Sequence, residues 1–277
     1  MIEVAFLGSG SSGNCAVVRS GRTAVLLDAG LSVRETSRRL SACGASLDDV
    51  SALLLTHEHS DHVRAAADLA RRREIPVYAT AGTLAASRLP GPLFADLRTI
   101  RGGVELTLGD DLFVRVVTTP HDGTEPVCYV FADGSGRRVG IATDLGHLSA
   151  AVVEALSGCE VLGLESNHDV DLLRQGPYPP FLKRRILSDV GHLSNDAAAG
   201  GLRALVGAPT RAVVLLHLSQ HNNTAALARR SAASELAKMG CGLLPEVAPP
   251  DRPTRWYAAR AEALVPASPG RAGEERA

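Results

Sequence analysis

Short apolar runs broken by glycine and serine open the chain. Residues 2–28 read as three strands, IEVAFLG, NCAVVRS and TAVLLDAG, separated by GSGSSG at 8–13 and by Ser20-Gly21. Over residues 32–43 apolar and charged positions mix at helical spacing and Gly44 offers a stop; SALLLT then reads as a strand buried on both faces. VRAAADLARRR, at 63–73, is rich in helix formers with an N-cap expected at Ser60 or Asp61, and IPVYAT returns to strand. A second β-rich stretch follows in ELTLG, LFVRVVTT, CYVFAD and RRVGIATD. Helices are expected at 149–157, 180–188, 195–206 and 224–239, with the strands EVLGLES and AVVLLHL between them. Two β-rich halves, each followed by helices, predict an α/β fold of two sheets packed face to face with helices on both outer faces. The domain is expected to span 1–260. Residues 261–277 are rich in Ala, Glu, Arg, Pro and Gly without periodicity and read as a disordered tail.

Composition adds only bounds. At 277 residues and 45% hydrophobic content the chain can fill a sizeable core. With 29 Lys plus Arg against 30 Asp plus Glu, the formal charge of −1 supplies no global field for nucleic acid or an anionic membrane, so a polyanion would have to meet a local basic patch. The opening MIEVAFLGSG lacks the pattern of a signal peptide and no apolar run reaches bilayer length, which leads to the expectation of a cytoplasmic protein without membrane contact. Five cysteines with no CxxC pair suit reduced, buried thiols.

The chemistry concentrates in LLLTHEHSDHV. His57 and His59 are spaced i, i+2 and point the same way from an extended segment, while His62 falls in the first turn of the next helix and can fold back, with Asp61 beside it. Imidazole and carboxylate donors suit zinc, manganese or iron, and the lack of a nearby cysteine argues against a closed structural zinc site. Three more polar residues stand where an apolar strand runs into a loop: His121 in TTPHDG, Asp144 in IATDLG and His217 in LLHLSQHN.

In that order these motifs resemble the metallo-β-lactamase superfamily, over roughly residues 2–240. The resemblance implies an αβ/βα four-layer sandwich and two divalent metal ions, zinc or manganese. By matching positions, His57, His59 and His121 would hold one ion, Asp61, His62 and His217 the other, and Asp144 would bridge them. Asp28 in LLDAG would orient the metal loop without ligating. An aspartate at the bridging position is similar to the phosphodiesterase and glyoxalase-like branches rather than the true β-lactamases. Glu165 in ESNHD and His192 in GHLSN resemble the proton-transfer pair of ribonuclease Z, and with FLGSGSSGN they look closest to the YycJ/WalJ-like exonuclease branch. The intervals leave no room for a transfer-RNA arm or an inserted β-CASP domain.

These features lead us to expect a dinuclear metallo-hydrolase, a phosphodiesterase or nuclease such as a 5′–3′ exonuclease, in which Asp61, His192 and Glu165 serve the chemistry. Lys183, Arg184 and Arg185 are the candidate phosphate contacts on a DNA or RNA substrate, and a homodimer is left open. The alternatives are a glyoxalase-type thioester hydrolase, which needs neither Glu165 nor His192, and a non-catalytic metal-binding regulator.

Overall fold

The computed structural model describes residues 1–87 and 96–259; the expected tail at 261–277 lies outside them. The first half holds β1 (Ile2–Gly8), β2 (Cys15–Ser20), β3 (Thr23–Leu27), α1 (Val33–Ala42), β4 (Val50–Leu54), α2 (Ser60–Val63), α3 (Ala66–Arg73), β5 (Val77–Thr80), α4 (Ala81–Ala86) and β6 (Leu97–Ile100). The second holds β7 (Glu105–Leu108), β8 (Leu112–Thr118), β9 (Val127–Asp133), β10 (Arg138–Ala142), α5 (Ala150–Leu156), β11 (Val161–Glu165), α6 (Val170–Gln175), α7 (Pro180–Ile186), α8 (Asn195–Leu205), β12 (Ala212–Leu216), α9 (Ala225–Lys238), β13 (Glu246–Val247) and β14 (Tyr257–Ala259). They build two seven-stranded sheets, ordered β14-β1-β2-β3-β4-β5-β6 and β13-β12-β11-β10-β9-β8-β7.

Side chains alternate between the two faces of a strand, so the central strands, covered on both faces, are apolar almost throughout, while the edge strands β6 and β7 carry exposed polar residues. In β1, Ile2, Val4 and Phe6 enter the cluster between the sheets, while Ala5 and Leu7 pack on the outer cluster that includes Leu40 of α1 and Leu69 of α3. In β4, Ala52 and Leu54 go inward and Leu53 outward. The second sheet repeats this, with Val214 and Leu216 inward and Val213 and Leu215 against Leu202 and Leu236 of the covering helices. Helix, sheet, sheet and helix thus form the expected four layers, each sheet buried on both faces.

Two local expectations need correction. The helix expected over 63–73 is two helices, because Ala65 takes a non-helical conformation and its N–H donates to Ala29 O, while Ala29 N–H donates to His62 O. Its cap is His59, without a side-chain bond, rather than Ser60 or Asp61. The strand β14, unannounced by its sequence, pairs antiparallel with β1 and closes the edge of the first sheet.

Candidate metal centre

Strands β3 and β4 run parallel, as do β10, β11 and β12, and the candidate metal ligands, with Asp28 and Glu165, stand at or beyond the C-terminal ends of strands, whereas His192 lies in the turn between α7 and α8. Asp28 follows β3, the His57 loop follows β4, His121 follows β8, Asp144 follows β10, Glu165 ends β11 and His217 follows β12. Asp28, Asp144 and His217 all adopt left-handed backbone, with φ of 62°, 59° and 55°. Four described non-glycine residues have positive φ, and three are these. Such conformations cost roughly 1–3 kcal/mol and cluster at functional sites.

The imidazoles are oriented by what their outer nitrogens bind. Asp28 Oδ2 accepts from His62 Nδ1 at 2.8 Å, and Asp28 Oδ1 accepts from Thr56 N at 2.9 Å. His57 Nδ1 is 3.0 Å from Thr56 Oγ1, His121 Nδ1 donates to Gly191 O at 3.0 Å, and His217 Nδ1 to Glu165 Oε1 at 2.9 Å. In all four Nε2 is turned to the interior, the orientation that second partners impose on metal-binding histidines. His59 is the exception, presenting Nδ1.

Those inner atoms converge. His59 Nδ1 lies 3.0 Å from His57 Nε2 and 3.3 Å from His121 Nε2. Ligands 2.0–2.1 Å from one tetrahedral zinc sit roughly 3.3 Å apart, so the triad matches such an ion. On the other side, Asp61 Oδ2 is 3.5 Å from His62 Nε2 and 3.4 Å from His217 Nε2. Asp144 stands between, its Oδ1 3.8 Å from His121 Nε2 and its Oδ2 3.2 Å from His62 Nε2. Asp144 Oδ2 and His217 Nε2 are buried and make no hydrogen bond. Buried polar atoms seldom stay unpartnered, and these two point at the space between the donors.

Electrostatics fits a cation. Burial, with the neighbouring imidazoles, pushes His57 well down and His59 down, favouring neutral rings. For His62 and His217 burial works in the same sense, but Asp144 and the other carboxylates outweigh it; His62 rises well above its ordinary value and His217 to about 10. The carboxylate side therefore draws positive charge into a buried space, as protons or as a divalent ion.

Glu165, fully buried, holds a further arrangement. Its Oε2 accepts from Leu145 N at 2.8 Å and Leu193 N at 3.0 Å, while Oε1 accepts from His192 Nδ1 at 2.8 Å as well as from His217. Burial alone would raise this carboxyl; the His192 charge and these bonds hold it at about 2. His192 is raised in turn, because Glu165 and Asp144 overcome the cost of burial.

Several partners were invisible to sequence reasoning. Asn14, at the end of the GSGSSG run, donates from Nδ2 to Asp61 Oδ2 at 3.2 Å and lies 3.0 Å from His62 Nε2; Ser9 Oγ accepts from His217 N at 2.8 Å. Asn14 N also donates to Asp61 O at 2.8 Å beside Gly30, where a Cβ would fall 1.7 Å from that oxygen, so only glycine lets the three segments meet. Glu58 is not among the inner donors, for its Oε1 accepts from Thr124 N and Oγ1 at 2.7 and 2.8 Å and braces the His121 loop. Of the basic run, Arg185 is paired with Asp122 next to His121, and Lys183 donates to Arg174 O.

Residues 23–218 match the beta-lactamase superfamily domain. The chain is 37% identical over 243 residues to an exodeoxyribonuclease, YycJ, of Bacillus anthracis, covering 87% of this chain and 92% of that protein. It is 34% identical over 251 residues to the exodeoxyribonuclease WalJ of Streptococcus pneumoniae, covering 88% and 93%. Among solved structures, the metallo-beta-lactamase fold protein YhfI of Bacillus subtilis superposes with a TM-score of 0.70 at 16% identity, over 92% of this chain and all of that one. No helix among the described residues is long and apolar enough to cross a membrane.

Proposed function

The chain belongs to the metallo-β-lactamase superfamily, and from that premise we propose that it is a dinuclear phosphodiesterase that acts on DNA as an exonuclease. That it is a hydrolase of this fold follows from the family itself. The observation that carries the finer reading is the buried Glu165 fastened to His192 at 2.8 Å beside the two donor sets, since a carbonyl hydrolase has no need of a second, separately held acid.

His57, His59 and His121 would hold one divalent ion, Asp61, His62 and His217 a second, with Asp144 between. When bound, such ions polarise a phosphoryl oxygen and acidify water near neutral pH. The chain's own residues do the rest. His192, 19% exposed at its side chain, would protonate the departing alkoxide through Nε2, while its Nδ1 proton stays hydrogen-bonded to Glu165. Glu165 keeps the imidazolium form available near neutral pH and fixes the ring plane. Asp28 and Thr56 hold His57 and His62 against rotation. Of the run at the end of α7, Arg185 pairs with Asp122 beside His121, and with Lys183 and Arg184 it would supply the local cationic surface for a phosphate backbone.

The test is direct. Protein purified without added metal is assayed for metal content, then incubated with end-labelled single- and double-stranded DNA and RNA in manganese or zinc. Release of labelled nucleotides from one DNA end, abolished by a chelator and restored by the metal, is expected. Hydrolysis of thioesters with no cleavage of any phosphodiester would overturn the reading.

A further inference from the structure

Beside His192 lies a space that none of the roles above uses. A cavity of about 170 Å³ is lined by His192, Tyr178, Leu182, Arg185, Asn167 and Ser219 among others. That is below the roughly 300–1,000 Å³ of sites enclosing a whole drug-sized ligand, so it suits a single ring system. Tyr178 is half-buried, and its ring meets His221 edge-on with centroids 5.8 Å apart, which holds the phenol as a wall. Three residues on, Phe181 at the start of α7 is 67% exposed, and Lys183, Arg184 and Arg185 follow in the last turn. A basic run alone is the mark of any solvated helix. Here it is preceded within the same short segment by two aromatic rings, one exposed and one walling a cavity that reaches the candidate general acid. Aromatic platforms combined with a cationic surface are how proteins hold unpaired bases.

We propose that this cavity receives one unpaired base of a single-stranded DNA end, stacked on Tyr178, which sets the adjacent phosphodiester in front of His192. A base within a duplex has both faces covered by its neighbours and its edge by its partner, so only an unpaired terminal nucleotide presents the free π-face that the cavity can accept. Arg185, held by Asp122, also lines the cavity and would meet the phosphate flanking that base. The proposal rests on the phosphodiesterase reading above.

The experiment compares Tyr178→Ala and Tyr178→Phe with the unaltered protein on three substrates: a single-stranded oligodeoxynucleotide, the same oligonucleotide abasic at the scissile end, and bis(p-nitrophenyl) phosphate. Tyr178→Ala should raise KM for the intact oligonucleotide on the order of 10- to 100-fold, the scale of one lost base–aromatic stack. Its kcat on the intact oligonucleotide should fall as well, because an unstacked end no longer sets the phosphodiester in front of His192. The abasic oligonucleotide should show the same raised KM with the unaltered protein and no further rise with the variant. Tyr178→Phe keeps the ring and should keep the original KM, and the small substrate should not distinguish the three proteins. An unchanged KM in Tyr178→Ala, or an equal loss on the small substrate, overturns the base pocket. If the unaltered protein cleaves the small substrate but no oligonucleotide, it is the nuclease reading itself that fails, and the base pocket falls with it.

Discussion

His192 Nδ1 lies 2.8 Å from Glu165 Oε1, and that carboxylate has no exposed surface. An imidazole so held keeps Nδ1 bound to the carboxylate, so that Nε2 is the nitrogen that can hand over a proton. If it is the general acid, His192→Ala should leave metal content intact and slow cleavage of a natural phosphodiester by roughly 10²- to 10⁴-fold. A p-nitrophenolate departs without protonation, so hydrolysis of bis(p-nitrophenyl) phosphate should fall far less. Equal losses on both substrates would assign the histidine to substrate positioning instead.

Glu165 serves a second histidine, and its replacement should therefore differ in kind. His217 Nδ1 donates to the same Oε1, so Glu165→Gln loosens a candidate metal ligand together with the candidate acid. We expect metal affinity to drop by roughly 10- to 100-fold, the usual scale for losing a partner behind a ligand, whereas His192→Ala leaves it unchanged. Titration with a chelator reads this without reference to activity.

Asp144 and Asp28 separate the residue between the ions from the residue behind a ligand. Asp144 reaches toward His62, His121 and His217, whereas both Asp28 oxygens are taken by Thr56 and His62. Asp144→Asn should cost most of the bound metal, and Asp28→Asn roughly 10- to 100-fold in affinity. Identical metal loss in the two variants would show the roles to be misassigned.

A pH test falls well away from the site. Glu35 in α1 accepts hydrogen bonds from Arg38 and from the buried Arg39, which hold it at about 2; Arg39 in turn donates to Leu7 O and Pro250 O. Because the folded value is depressed, the contribution is full above the ordinary glutamate range near about 4.3 and is lost as pH falls through about 2. Thermal melts of Glu35→Gln should lie below those of the unaltered chain at pH 6 and converge with them near pH 2. The gap will be small, since solvent screens the pair. A gap that persists at pH 2 would point to packing rather than charge.

The strands and the inner donors were legible because both write themselves in local pattern. Runs such as SALLLT have no polar face to conceal, and HEHSDH concentrates donors that no ordinary loop needs. What escaped was set by distant pairing. Tyr257 and its neighbours in β14 form a strand only because β1 offers an edge, and their sequence has no alternation to announce it. Asn14 and Ser9 looked like turn residues, which they are, and nothing local foretold that the turn would reach Asp61 and His217. The break at Ala65 likewise depends on Ala29, more than thirty positions away in the chain. Arg185 was legible as a charge but not as the partner of Asp122.

The left-handed backbone at Asp28, Asp144 and His217 decides how this site can be dissected. Alanine resists that conformation, whereas asparagine and glycine accept it. An alanine scan would thus report conformational strain mixed with lost chemistry at these three positions, and chemistry more cleanly at His57 or His121. Asparagine is the fair control at all three, and a glycine there that raised the melting temperature while abolishing metal binding would expose how much stability the chain forgoes to keep its donors in place.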